Sequence, residues 1–407
     1  MTRSGGFAAV ALFLLPRLAL AQPEEDPRKT AKVHFGPVYL TPTLTLANLG
    51  WDSNVFNQQG EAKQGDFSFT LRPAADVWVP IARRAMIITN AAVDLVYFQA
   101  FSSERSVDPS VRVRPEFYLR RVTLFAEWSY LDTRQRPSFE IDVRARRNER
   151  EGKAGFDVRV AQKLSVEVAA RERRIRFDGD QYYEGTSLEQ TLNRDERAAS
   201  ATLRYRWTPL TTVTLLGEAQ SDRFIYSPVR DADSWRVMPG VELRPRALVS
   251  GSGYVGYRRF LGLSAEMPDY SGVVATGTLS YTLQGATKFT FTAERDVEYS
   301  FEPAQPYYVQ TGFGLDVQRA LGARFDVTVG YQHYDDAYRE FADGTVTPTV
   351  ERVDITQNVS CSFGYRAARD ARIGFGASYW ERASNTASYR DYNGLRIGVM
   401  VDYGLSR

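Results

Sequence analysis

A single cysteine, Cys361, in 407 residues excludes an intramolecular disulfide framework. Two histidines far apart in the chain, His34 and His333, exclude a Cys/His zinc cluster. After the extreme N-terminus there is no apolar run of about 18 residues, the length a helix needs to cross a bilayer. The nearest approach, Ala85 to Phe101, is broken by Asn90 and Asp94. There is no phosphate loop or dinucleotide fingerprint, so no cofactor is expected. Excess charge is absent too. Lys and Arg number 51 against 49 Asp and Glu, and mean hydropathy is −0.36. A nucleic-acid partner, which would want a basic domain, is not expected.

What is present begins with a secretory pattern: Arg3, an apolar stretch from Phe7 to Leu15, and the small-x-small site Ala19-Leu20-Ala21. Residues 1–21 read as a signal peptide. Its loss removes Arg3 and Arg17 and leaves 49 basic and 49 acidic residues. Residues 22–36, with Pro23 and Pro27, read as a polar periplasmic lead, and 37–407 as one domain. Aromatics are plentiful: 23 Tyr, 23 Phe and 6 Trp.

The dominant signal is period two. Val122, Leu124, Ala126, Trp128 and Tyr130 alternate with Thr123, Glu127 and Ser129. Ile355, Val359, Cys361, Phe363 and Tyr365 alternate with Thr356, Asn358, Ser360, Ser362 and Gly364. Successive side chains of a strand point to opposite faces, so each such segment has one apolar and one polar or small face. Short connections recur near Arg83-Arg84, Arg120-Arg121, Gln162-Lys163, Thr208-Pro209, Pro245-Arg246, Gln284-Gly285, Leu321-Gly322 and Arg369-Asp370. Between them lie longer polar loops such as Asp178–Leu192, Leu261–Met267 and Arg339–Pro348. Eight short turns and nine long loops predict an all-β, antiparallel, up-and-down transmembrane barrel of eighteen strands, with both termini periplasmic. Propeller blades share the repeat length but pack four short strands into it. A series of β-sandwiches would need a linker that the chain does not show.

With the apolar face toward lipid, Leu124, Phe363 and Val399 are predicted to meet the membrane. The polar face then lines the lumen. Its candidate transport path is Arg72, Arg112, Arg114, Glu116, Glu127, Arg204, Arg206, Glu218, Arg236, Arg244, Asp326 and Trp380. The charges read equally well as pairs laddering between strands to stiffen the wall. Trp380, with Trp78, Tyr118 and Tyr334 on the same face, reads either as packing or as a platform for sugar rings. No catalytic residue is expected. His333, in Tyr331-Gln-His-Tyr-Asp-Asp336, falls on the apolar phase of its strand, and no nucleophile motif accompanies it.

Two segments carry a resemblance. Leu49-Gly-Trp-Asp52-Ser-Asn54-Val-Phe56 resembles the signature that follows the first strand in β-barrel porins associated with exopolysaccharide export. Trp380-Glu-Arg-Ala-Ser-Asn385, then Arg390-Asp-Tyr-Asn393 and a final alternating strand, resembles that family's last hairpin. Asp52, Asn54 and Phe56 are the motif residues, although Asp-x-Asn is also an ordinary Asx turn. The resemblance implies an outer-membrane exit for a secreted polysaccharide, working with a periplasmic polysaccharide-export protein. A general diffusion porin is the alternative, and an outer-membrane hydrolase using His333 a third. The expected location is the Gram-negative outer membrane. The expected partners are its lipid, the barrel-assembly machinery and the polysaccharide itself. Many such barrels end on an aromatic residue, whereas this chain ends Tyr403-Gly-Leu-Ser-Arg407.

Overall fold

The computed structural model describes residues 31–82, 84–245, 248–342 and 351–404. The segment read as a signal peptide, the start of the lead and Leu405 lie outside them. Eighteen long strands follow one another as an antiparallel meander. They are β1 Val38–Asp52, β2 Asp66–Ile81, β3 Ala85–Phe98, β4 Ser106–Tyr118, β5 Val122–Thr133, β6 Arg147–Ala161, β7 Leu164–Phe177, β8 Arg194–Arg206 and β9 Thr211–Phe224. Next come β10 Ala232–Leu243, β11 Val249–Gly262, β12 Tyr270–Leu283, β13 Thr287–Tyr299, β14 Tyr307–Leu321, β15 Phe325–Arg339, β16 Val353–Ala368, β17 Ala371–Ser384 and β18 Tyr392–Tyr403. β1 also pairs with β18, Leu44 opposite Tyr403 and Asp52 opposite Arg396, so the sheet closes on itself. Closure pairs the strand edges and lets a sheet cross hydrocarbon without exposing its backbone.

The eighteen strands and the alternation of short turns with long loops are as the sequence predicts. In the turn after β12, Gln284 and Gly285 have φ of 50° and 68°, and Ala286 N–H donates to Leu283 O at 3.1 Å. Two successive positive-φ residues make the tight turn that matches strand twist. The end of the lead is not free. Val33–Phe35 folds back through Gly36 onto Val38–Leu40.

Facing follows the pleat. Leu124 is 43% exposed, Phe363 46%, and Phe313, Phe375, Val255 and Val273 are comparably open. Dozens of large apolar side chains pointing out all round the wall make a surface suited to lipid and not to water. Cys361 shares that face. It is therefore expected to resist a charged thiol reagent in the folded, lipid-embedded protein and to react with a membrane-permeant maleimide. Rapid labelling by the charged reagent would place the pleat one residue out of register.

The wall departs from a regular cylinder at one place. β12 and β13 pair only as far up as Ala275 and Arg295. On either side, pairing runs higher, to Phe260–Tyr270 and Tyr299–Tyr307. Above that level the β13–β14 hairpin parts from β12. Met267, Tyr270 and Val274 pack there with Val297, Tyr307 and Val309 in one buried cluster. Arg295 bridges the foot of the split, its Nε donating to Val273 O at 3.2 Å. The tip of this hairpin, residues 300–306, thereby enters the mouth of the barrel.

Candidate functional site

The inner wall is a set of ion-pair ladders. Arg114 meets Glu116 at 2.7 Å and Glu127 at 3.4 Å. Arg204 reaches Glu167 at 3.0 Å, Asp157 at 3.5 Å and Glu242 at 3.6 Å. Arg236 joins Glu218 at 2.8 Å to Asp296 at 2.9 Å, and Arg258 also binds Asp296. Arg72 lies 3.4 Å from Asp94, Arg112 donates to Asn90 Oδ1 at 2.8 Å, and Asp326 pairs with Arg372. Of the candidate path, Arg206 and Arg244 stand apart at the periplasmic ends of β8 and β10. Their backbone N–H groups close the turns onto Lys163 O and Leu210 O. The predicted polar face is thus the inner face, and most of its charges bind one another across strands. Such pairs hold the wall while leaving a polar surface.

The second part of the site, the mouth, is made by loops. Residues 134–146, between β5 and β6, do not lie over the rim. They cross to β15, nine strands from β6 in a ring of eighteen, where Phe139 packs on Tyr334 with centroids 4.5 Å apart. They also reach β17, where Arg382 donates to Phe139 O at 2.9 Å and to Asp142 Oδ2 at 2.6 Å. Two acidic residues organise this crossing. Asp142 accepts further bonds from Asn57 Nδ2 at 2.9 Å and Tyr183 Oη at 2.7 Å, so it joins three loops and the far wall. Glu140, only 1% exposed, accepts from Ser300 Oγ at 2.6 Å and Phe301 N at 3.2 Å, both on the inward-leaning hairpin. Arg390 donates to Glu140 O at 2.6 Å. Ile141, Ala145, Tyr183, Leu188 and Phe301 fill the centre as a dry cluster. The mouth is therefore a packed plug anchored to opposite walls.

Burial pushes the Glu140 carboxyl up to about 7, only partly opposed by Arg390 and the Ser300 hydroxyl. Burial likewise lowers the Arg230 guanidinium to about 10. This group sits in the plug and donates to Ser300 O and Glu302 O.

The Asp52–Asn54–Phe56 motif is a latch between the first and last loops. Asp52 Oδ1 accepts from Asn54 N at 2.9 Å, the Asx turn that the pattern suggests. Asp52 Oδ2 also takes Arg396 of β18 at 2.5 Å. Asn54, fully buried, spans to Gln58 O and Asn393 O, each at 2.8 Å. Phe56 packs edge-on against Phe101 at 4.8 Å. Trp380 extends the same latch, its Nε1 donating to Asn57 Oδ1 at 3.1 Å and its ring lying under Arg396. These residues fasten the barrel seam at the mouth. His333 lies on the lipid-facing phase, 3.1 Å from Asp335 and tilted against Phe313.

Glu140 and Asp142 were not legible as site residues. The available signal is the segment Phe139-Glu-Ile-Asp142, apolar and acidic residues alternating inside a loop, which is costly unless the loop is buried.

Against known proteins, the family described as "Putative beta-barrel porin 2" matches residues 26–404. No curated protein sequence matches the chain. Among solved structures, a BenF-like porin from Pseudomonas fluorescens Pf-5 is similar over 90% of this chain and 99% of that one, at 11% identity and a TM-score of 0.51. OccK9 (OpdG) of Pseudomonas aeruginosa is similar over 89% and 97%, at 13% identity and a TM-score of 0.50.

Proposed function

We propose, from the premise that this chain belongs to the "Putative beta-barrel porin 2" family of the Gram-negative outer membrane, that it is a diffusion channel for small polar solutes. The observation that carries this reading is the plug. The segment 134–146 is tied to the far wall through Asp142 and Arg382, and a mouth crossed in this way is obstructed to a bulky polymer. The paired inner wall suits such traffic, because charges already bound to one another hold a passing solute only weakly. Polysaccharide exit, which the loop motifs imply through their family resemblance, would need the whole plug to leave. A strain without the gene is expected to take up a small polar sugar more slowly while keeping its surface polysaccharide. Loss of the surface polymer with retention of polymer in the periplasm would replace this reading with export.

The plug also makes the channel respond to pH. In the docked loop Glu140 holds its proton up to about 7, whereas in an undocked loop it would return toward its usual 4.5. Docking is then strongest below the lower value and weakens as pH rises toward the upper one. Bilayer conductance is expected to fall as pH is lowered from about 8 to about 5, and Glu140→Gln to flatten that profile. An equal pH response in the variant would remove Glu140 from the gate.

A further inference from the structure

The outer wall of β6–β9 carries charge where lipid should meet it. Arg150, Arg174, Arg197 and Arg223 lie on the outward phase, alternating with the inward Glu149, Arg173, Glu196 and Asp222. Arg150, Arg174, Asp195 and Arg223 form one row of register partners, and Glu172, Arg197, Ser221 and Asp233 the row below. Glu172 and Asp233 answer them in part, and Asp195 is taken by a fifth arginine, Arg176. Arg174 pairs with Glu172 at 3.1 Å and Arg223 with Asp233 at 2.8 Å. Arg197 stays 71% exposed with Glu172 at 3.6 Å. Arg150 binds Asn148 and lies over the Tyr130 ring, and among the described residues no carboxylate lies within ion-pair distance of it. An arginine on the lipid face at the midplane would cost about 2–4 kcal/mol. These stand at the loop ends of their strands, which is the extracellular, headgroup level.

Beneath the arginines the wall is dished. The next row of register partners is Ala126, Ala154, Ala170, Ala199 and Ala219, alanine on five consecutive strands. It ends at Trp235, and Trp128 flanks the row above. The bulky side chains resume one row lower with Phe156 and Val168. The result is an open depression of about 900 Å³ on the membrane face, floored by Ala154, Ala170, Ala199 and Ala219, roofed by Arg197 and Arg223 and edged by Trp235, with Arg150 and Arg174 in the row beyond its rim.

We infer that this depression binds one molecule of the phosphorylated glycolipid of the outer leaflet, lipopolysaccharide. Its phosphates would lie against the arginines and its acyl chains on the alanine shelf. Guanidinium groups bind phosphate through paired N–H donors, and the net positive roof lies at the level where those phosphates sit. The breadth of the shelf, five strands, suits a lipid with several chains. The inference rests on the membrane orientation alone, so its failure leaves the channel reading intact.

The test uses the full-length folded barrel in detergent, titrated with bisphosphorylated lipid A and read by native mass spectrometry. The wild-type protein is expected to retain one lipid per barrel. Replacing Arg150, Arg174, Arg197 and Arg223 together by Gln is expected to weaken retention at least about tenfold, given the attraction each arginine exerts on an anionic headgroup. Removing the phosphates from the lipid should have the same effect on wild type, and phosphatidylglycerol should bind more weakly than lipid A. Ala170→Leu with Ala199→Leu fills the shelf, keeps every charge, and should also weaken retention. Equal retention by the shelf-filled variant, equal binding of phosphatidylglycerol, or a lipid-free dimer covering this face would each overturn the assignment.

Discussion

Deleting residues 136–143 is expected to raise single-channel conductance severalfold and to admit solutes that the intact channel excludes. The segment supplies the groups that tie the mouth together: Phe139 against Tyr334, Glu140 against Ser300 and Phe301, and Asp142 against Arg382, Tyr183 and Asn57. None of these contacts belongs to the strand ladders, which pair β5 with β6 from Thr133 and Arg147 downward. The barrel should therefore assemble without the segment and retain its shift in mobility between heated and unheated samples on a semi-native gel. Recording the deleted protein in planar bilayers beside the intact one measures the effect. Unchanged conductance would mean that the crossing does not limit flow.

Arg382→Ala should undo the same crossing from the far wall. Its guanidinium is buried and serves four oxygens, those of Phe139, Glu140, Asp142 and Arg390. Truncation leaves the Asp142 carboxylate, itself buried, without its cation. Breaking a buried pair in this way costs about 3–5 kcal/mol. The cost falls on loop docking, because the backbone pairs of Arg382 with Thr356 and Tyr392 do not depend on the side chain. Protease added from outside is expected to cut within 134–146 in the variant and not in the parent, and channel recordings should flicker between two levels. A protected loop with steady current would show that other contacts hold the plug.

The strand frame was readable because it is written in short-range terms. Alternation in Val122–Tyr130 and Ile355–Tyr365, and turn residues such as Gln284-Gly285, act within a few positions of themselves. The inward phase of Arg114, Arg204 and Asp326 follows from the same pleat. The plug was not readable, since nothing near Glu140 or Asp142 names Arg382 or Ser300, which lie 242 and 160 residues from Glu140. The parting of β12 from β13 was hidden for a different reason. Val297 and Val309 look like ordinary lipid-facing residues, and only the inward lean of the hairpin sets them against Val274. The motif residues Asp52, Asn54 and Phe56 were visible as a pattern but not as a latch, because their partners Arg396, Asn393 and Phe101 come from other strands and loops.

Passage of small polar solutes through the intact barrel is what the channel reading requires. Liposomes containing the purified full-length protein, placed in isotonic solutions of sugars of increasing size, test this directly. Swelling should be fast in a monosaccharide, decline steeply through short oligosaccharides, and extend to larger ones only after residues 136–143 are removed. Liposomes that fail to swell in any sugar with the intact protein, but swell once the segment is gone, would contradict it and describe a closed barrel awaiting an opening signal.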